Sequence, residues 1–162
     1  MDKTDFYEKS EPERSLHDLE VDELVQLGTE ALEVRKFAAA HRYLHAALTK
    51  QRSPNHLSLY ALALSQHTGN IQTAVALCQE AIKKEPKNSE HFLRLGTIYL
   101  VAGRKKEAVR VLHLGLRLGK NPGIRRLLQT LGQREKPVLP FLSRGNALNK
   151  YLGKIRTSLF RR

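Results

Sequence analysis

The chain has 162 residues, 41% of them hydrophobic and 27% charged, with one cysteine, no tryptophan and a formal net charge of +12. That length can bury a sizeable core as one domain, and no apolar run approaches the roughly 18 residues of a membrane span, so no transmembrane segment is expected. Cys78 alone excludes an internal disulfide, and the opening MDKTDFYEKSEPERS is too acidic and polar for a signal peptide, so the expected compartment is the cytosol.

Residues 1–20 form an acidic, charge-rich lead with Pro12 and few apolar anchors, expected to be disordered or a frayed helix. Charge is divided by position. Residues 1–34 hold 3 Lys/Arg against 11 Asp/Glu, a balance of −8, and the rest of the chain holds 25 against 5, or +20. The lead is a solvated tail or, alternatively, folds back on the basic body.

From Val21 to Pro122 the sequence repeats three times, as 21–54, 55–88 and 89–122. The third copy is the clearest. Phe92, Leu95, Gly96 and Tyr99 share one helical face up to Gly103, a C-cap residue. After the basic turn Arg104, Lys105 and Lys106, a second helix carries Ala108, Val109, Leu112, Gly115 and Leu116 at helical spacing. Gly96, Ala108 and Gly115 leave room for Tyr99, Leu112 and Leu95. A slide of 34 residues aligns Gly69 with Gly103, Ala74 with Ala108 and Ala81 with Gly115, and a second slide adds Ala40 and Ala47. The middle copy departs most. Its first helix has Ser58 where the others open with Leu24 and Phe92, Ala61 with Leu62 in place of Leu27 with Gly28 or Leu95 with Gly96, and Ser65 in the place of Ala31 and Tyr99. The bulky position facing them is Leu44, Cys78 and Leu112 in turn. Pro54, Pro86 and Pro122 mark helix breaks.

Residues 123–134 supply Ile124, Leu127, Leu128 and Leu131 and are expected to form a capping helix, because a stack of helix pairs leaves its last apolar face uncovered. Residues 135–146 form a Pro-containing linker with apolar Val138, Leu139, Phe141 and Leu142, expected to be extended. Residues 147–162 carry Leu148, Tyr151, Leu152, Ile155 and Leu159 on one stripe and Lys150, Lys154 and Arg161 opposite it, a basic amphipathic helix suited either to docking on the body or to peripheral contact with an anionic membrane.

A helix-turn-helix period of about 34 residues with these small and large positions resembles the tetratricopeptide repeat (TPR) family. The resemblance implies an all-α fold: a right-handed superhelical solenoid of three TPR helix pairs, followed by the C-terminal capping helix and the basic amphipathic tail helix. It also implies a concave groove lined by the first helix of each pair. Carried onto this sequence, that groove comprises Gln26, Thr29 and Glu33, then Leu59, Tyr60, Ala63 and His67, then Leu93, Arg94, Thr97 and Val101. Family members that grip a chaperone's C-terminal carboxylate present Lys, Asn and Arg at positions that read here Val25, Thr29, Tyr60, Glu90 and Arg94. Only Arg94 fits, so the groove is expected to take a peptide through apolar pockets around Leu59, Tyr60 and Leu93.

No catalytic or metal site is expected, and no cofactor. His41 and His45 lie four residues apart on one helix, yet no carboxylate or cysteine at ligand spacing completes a site. Cys78 falls on a core position, where a thiol acts as a small hydrophobe. The glycines form no phosphate-binding fingerprint. The expected function is therefore a non-enzymatic protein-binding scaffold or assembly factor. Two alternatives stand beside it: a basic-surface binder of nucleic acid or anionic membrane, and a secretion-type TPR chaperone. With aromatics at 6% and not interleaved with Lys and Arg, nucleic acid is the less favoured partner. A homo-dimer is left open.

Overall fold

The computed structural model describes residues 16–132, and among these the chain is all α-helical. The helices are α1 (Val21–Glu33), α2 (Phe37–Lys50), α3 (Pro54–His67), α4 (Ile71–Lys84), α5 (Ser89–Val101), α6 (Lys105–Leu118) and α7 (Pro122–Gly132). The expectations for most of the acidic lead, for the Pro-containing linker and for the basic helix at 147–162 lie outside the described residues. The chain divides into two compact units, Met1–Arg126 and Leu127–Arg162. Of the second, the described residues are the last turns of α7, where Leu127, Leu128 and Leu131 are half-buried.

In the first unit the helices pack as sequential pairs, α1 on α2, α3 on α4 and α5 on α6. Each pair also packs on the next, through α2 on α3 and α4 on α5, and the first helices touch one another directly, α3 against α5 and α1 against α3. The 34-residue period is exact at the ends of the first helices and along the second helices. First helices end at 33, 67 and 101, and second helices run 37–50, 71–84 and 105–118.

The turns inside the pairs explain part of this regularity. Arg35, Gly69 and Gly103 occupy the same place in each, all with positive φ (60°, 69° and 72°), the left-handed residue that ends the first helix. Glycine takes that conformation without a Cβ clash, and Arg35 does not. Helix starts are fixed by side chains. Ser53, Asn70 and Asn88 accept from the backbone N–H of His56, Thr73 and Glu90 at the heads of α3, α4 and α5. Pro54 and Pro122, read from sequence as breaks, are the first residues of α3 and α7, where a missing N–H costs nothing.

Packing within the pairs follows a large-into-small rule. A Cβ built on Gly28 would lie 2.5 Å from Leu44 Cγ, and one on Gly96 would lie 2.6 Å from Leu112 Cδ2. Each glycine is the hole for the leucine of its partner helix. In the middle pair the sizes are exchanged: Leu62 stands in the glycine register and packs on the cluster around Cys78, which stands in the leucine register. Ala40, Ala74 and Ala108 are fully buried in all three pairs. Gly115 corrects one expectation, since the space it leaves is filled by Phe92 and Ile124, at 2.8 and 2.6 Å from a Cβ placed there, and not by Leu95 or Tyr99.

The start of α7 is tied to α5. Buried Asn121 donates from Nδ2 to Ser89 Oγ (3.0 Å) and Glu90 Oε1 (2.7 Å), and its Oδ1 accepts from Ile124 N–H (3.0 Å). One side chain thus caps α7 and fixes it to the head of the preceding pair.

Candidate functional site

By the 34-residue register, equivalent positions of the first helices fall into rows. The rows are Gln26, Tyr60 and Arg94; Thr29, Ala63 and Thr97; and Glu33, His67 and Val101, each spaced by 34 residues on α1, α3 and α5. The last row is exposed along its whole length, with Val101 41% accessible. Gln26 is exposed, and Thr29, Tyr60, Leu93, Arg94 and Thr97 are half-buried. Thr29 and Thr97 donate their hydroxyl protons to the carbonyls of Val25 and Leu93 one turn back. Leu59 and Ala63 are different. Both are buried with Ala31, Ala40 and Leu44, and they hold the first two pairs together.

Arg94 is anchored. Its Nη1 donates to Ser58 Oγ (2.6 Å) and Asn55 Oδ1 (2.8 Å) on α3. Ser58 Oγ lies 2.9 Å from His91 Nδ1, and His91 Nε2 lies 3.0 Å from Glu85 Oε2, which also accepts from Asn88 Nδ2. The Asn88 and His91 hydrogen bonds hold the Glu85 carboxyl below its usual range, so it accepts and Nε2–H donates to it, and the Ser58 hydroxyl proton lies between His91 Nδ1 and the Asn55 carbonyl (3.2 Å). Burial pushes the His91 pKa down, outweighing the opposing pull of Glu85, and the nearby Arg94 charge pushes the same way. Serine, histidine and glutamate in a chain look like an activated nucleophile, yet Ser58 and His91 are fully buried and the hydroxyl oxygen is already taken by Arg94. No substrate carbonyl can approach that oxygen, and the network's work is to join α3 to α5. Cys78 beneath it is an inert thiol, its pKa raised to about 12 by burial.

One cluster joins two elements that the sequence reading kept apart. His41 and His45 of α2 meet Tyr60 and His67 of α3, with His41 at 5.2 Å from both the Tyr60 and the His67 ring centres and His45 at 5.3 Å from Tyr60. Tyr60 Oη and His41 Nε2 are 3.2 Å apart. Burial, then the charges of His67 and His45, lower the His41 pKa, which keeps this imidazole neutral at neutral pH. The signal was present as the i,i+4 pair His41 and His45, but pairing it with Tyr60 requires knowing that α2 lies on α3. Among the described residues no group of His, Cys, Asp and Glu is arranged to hold a metal ion, and no helix is long and apolar enough to cross a membrane.

Two family profiles match the chain, both described as tetratricopeptide repeat, over residues 25–84 and 67–131. The chain belongs to the tetratricopeptide repeat family. No curated protein matches it. Among solved TPR structures, it is similar to the Sgt2 TPR domain from Aspergillus fumigatus, at 25% identity over 68% of this chain and 76% of that one, with a TM-score of 0.56. The Arabidopsis OM64 TPR domain matches at 21% identity, 68% and 93% coverage and a TM-score of 0.56. The TPR2B domain of yeast Sti1, solved in complex with pHsp70, matches at 19% identity, 68% and 91% coverage and a TM-score of 0.56. The glycine and leucine registers of this TPR chain are thus those on which α1 and α2, and α5 and α6, close together, and its middle pair reaches the same packing with other residues.

Proposed function

We propose that this TPR chain is a non-enzymatic scaffold or assembly factor of the cytosol, in which three repeats, framed as 21–54, 55–88 and 89–122, wind as a right-handed solenoid and hold a partner's peptide on the face of α1, α3 and α5. The carrying observation is the set of equal-register rows on neighbouring first helices, exposed at Glu33, His67 and Val101 and half-open at Tyr60, Leu93 and Thr97. Such rows repeat along an extended peptide's length, which suits pockets for successive side chains. Tyr60 supplies an amphipathic ring whose hydroxyl already meets His41, and His67 lies against the same imidazole. Arg94, tied to Ser58 and Asn55, contributes a fixed cation at the edge of this face and not a mobile clamp. In this reading Leu59 and Ala63 shape the floor from below. The start of α7 serves as the terminal cap, with Ile124 filling the space beside Gly115 and Phe92.

A pull-down from native lysate at about 150 mM and about 500 mM salt tests this reading. The exposed pair His67→Glu with Val101→Asp should lose the captured partner at both salts while the melting temperature stays put. Lys105→Glu with Lys106→Glu, at the start of α6, should weaken capture only at the lower salt. The reverse ranking would move the function to the basic surface.

A further inference from the structure

The second helices occupy equivalent places in the three repeats, and one pair of registers on them is treated differently each time. In α2 it holds Ala46 and Lys50. Ala46 packs on the cluster around Leu19, and Lys50 Nζ donates to the carbonyls of His17 (2.7 Å) and Leu19 (2.6 Å), so the chain entering α1 lies on it. In α4 the registers hold Glu80 and Lys84, paired at 3.0 Å, with Arg52 reaching Glu80 from the segment that enters α3 (2.8 Å). In α6 they hold Leu114 and Leu118, which are 43% and 41% accessible and are two of the four large hydrophobics exposed among the described residues. An apolar pair one helical turn apart thus stands where the other repeats have polar or covered side chains.

The surroundings of that pair are basic. Arg110, His113 and Arg117 are exposed beside it on α6, and the helix's one acid, Glu107, is bonded to Arg104 at 2.9 Å. Residues 104–126 contain eight Lys or Arg and one acid. Phosphate-rich ligands would use the cations and leave two leucines without a role.

We infer that the stripe Arg110, Leu114 and Leu118, flanked by His113 and Arg117, is a second docking surface whose occupant is an acidic amphipathic helix of a partner protein. Leucines at i and i+4 form a ridge that seats between the apolar side chains of a facing helix. The flanking cations meet carboxylates at its borders, setting orientation and speeding encounter. This surface lies on α6, away from the Tyr60 row of α3, so it stands or falls separately from the peptide face proposed above.

The experiment uses the full chain and a fluorescent, glutamate-rich peptide of about 15 residues with leucines at i, i+4 spacing, alongside a scrambled peptide of equal composition. Anisotropy titrations should show binding of the patterned peptide and at least about tenfold weaker binding of the scrambled one. Leu114→Ser with Leu118→Ser should weaken binding about tenfold or more with no change in melting temperature. Arg110→Glu with Arg117→Glu should weaken it mainly below about 150 mM salt. Tyr60→Ala should leave it unchanged. Equal binding of both peptides, displacement by a single-stranded oligonucleotide, or a melting temperature several degrees lower in the leucine double variant would each overturn the inference, the last because it would show that the chain itself covers the stripe.

Discussion

The outer repeats and the middle repeat close the same helix pair in opposite ways. In the first and third pairs a glycine of the first helix, Gly28 or Gly96, receives a leucine of the second, Leu44 or Leu112. The middle pair puts the large residue on the first helix, Leu62, and the small one, Cys78, on the second, and it adds a buried polar chain through Ser58, His91 and Arg94 where its neighbours are apolar. The large residue thus changes helix, and Leu62 stays half-buried while Cys78 is fully buried. The polar chain also gives the middle repeat a directional tie to α5 that apolar packing alone lacks.

Exchanging the two solutions should have the largest effect. Gly96→Leu places a side chain where Leu112 already sits and should cost about 3 kcal/mol or more, the upper end of overpacking. Adding Leu112→Cys recreates the middle arrangement and should restore much of the loss, a coupling that a double-mutant cycle by urea unfolding would read out. If the two changes simply add, the exchange of sizes is not what closes the middle pair.

Next comes the polar chain. Ser58→Ala removes the hydroxyl that stands between Arg94 Nη1 and His91 Nδ1, leaving the buried His91 Nδ1 without its partner and Arg94 with Asn55 alone, and should cost about 1–3 kcal/mol. Ser58→Thr keeps the hydroxyl and adds one methyl group, so it should lose less than Ser58→Ala if hydrogen bonding is the dominant contribution. Chemical denaturation of both variants decides.

A smaller effect depends on pH. His91 and His41 both have folded pKa values below the ordinary histidine value, so the unfolded chain binds more protons in that window. Their contribution to stability is complete above about pH 6.5 and is lost as the pH falls through the folded values. Melting temperature should therefore drop between pH 7.5 and 5.5, and His91→Gln should flatten that slope even though it lowers the plateau. A slope of the opposite sign would mean that both imidazoles gain, not lose, affinity for protons on folding.

The smallest change sharpens the first repeat toward the others. Arg35 is the one non-glycine with positive φ among the described residues, in the register of Gly69 and Gly103. Arg35→Gly relieves a left-handed conformation that disfavours a Cβ by about 1–2 kcal/mol, partly offset by the greater freedom of glycine in the unfolded chain. A net gain of about 0.5 kcal/mol, seen as a rise of about 1–2 °C in melting temperature, is expected.

The regular part of the molecule was legible because helix packing writes itself into local spacing. Periodic small and large residues, Gly96 with Leu112 and Ala40 with Ala74 and Ala108, mark the close contacts within each pair. The rows on α1, α3 and α5 follow from the same register, and Gln26, Glu33, His67 and Val101 in them are exposed. Burial depth within a row was another matter. Leu59 and Ala63 share the face by spacing, yet contact with Ala40 and Leu44 takes them into the core, and such depth depends on how closely the neighbouring helix approaches.

What the sequence by itself determined was therefore the helical class, the period and the repeated contacts within each pair, all consequences of side-chain size at fixed intervals along a helix. Tertiary structure decided the contacts between pairs: His41 beside Tyr60 and His67, Arg94 on Ser58 and Asn55, Asn121 on Ser89 and Glu90. Those partners lie 19 to 39 residues apart, polar groups meet them at angles that no periodicity encodes, and a change in helix approach of about 1 Å is enough to make or break each bond.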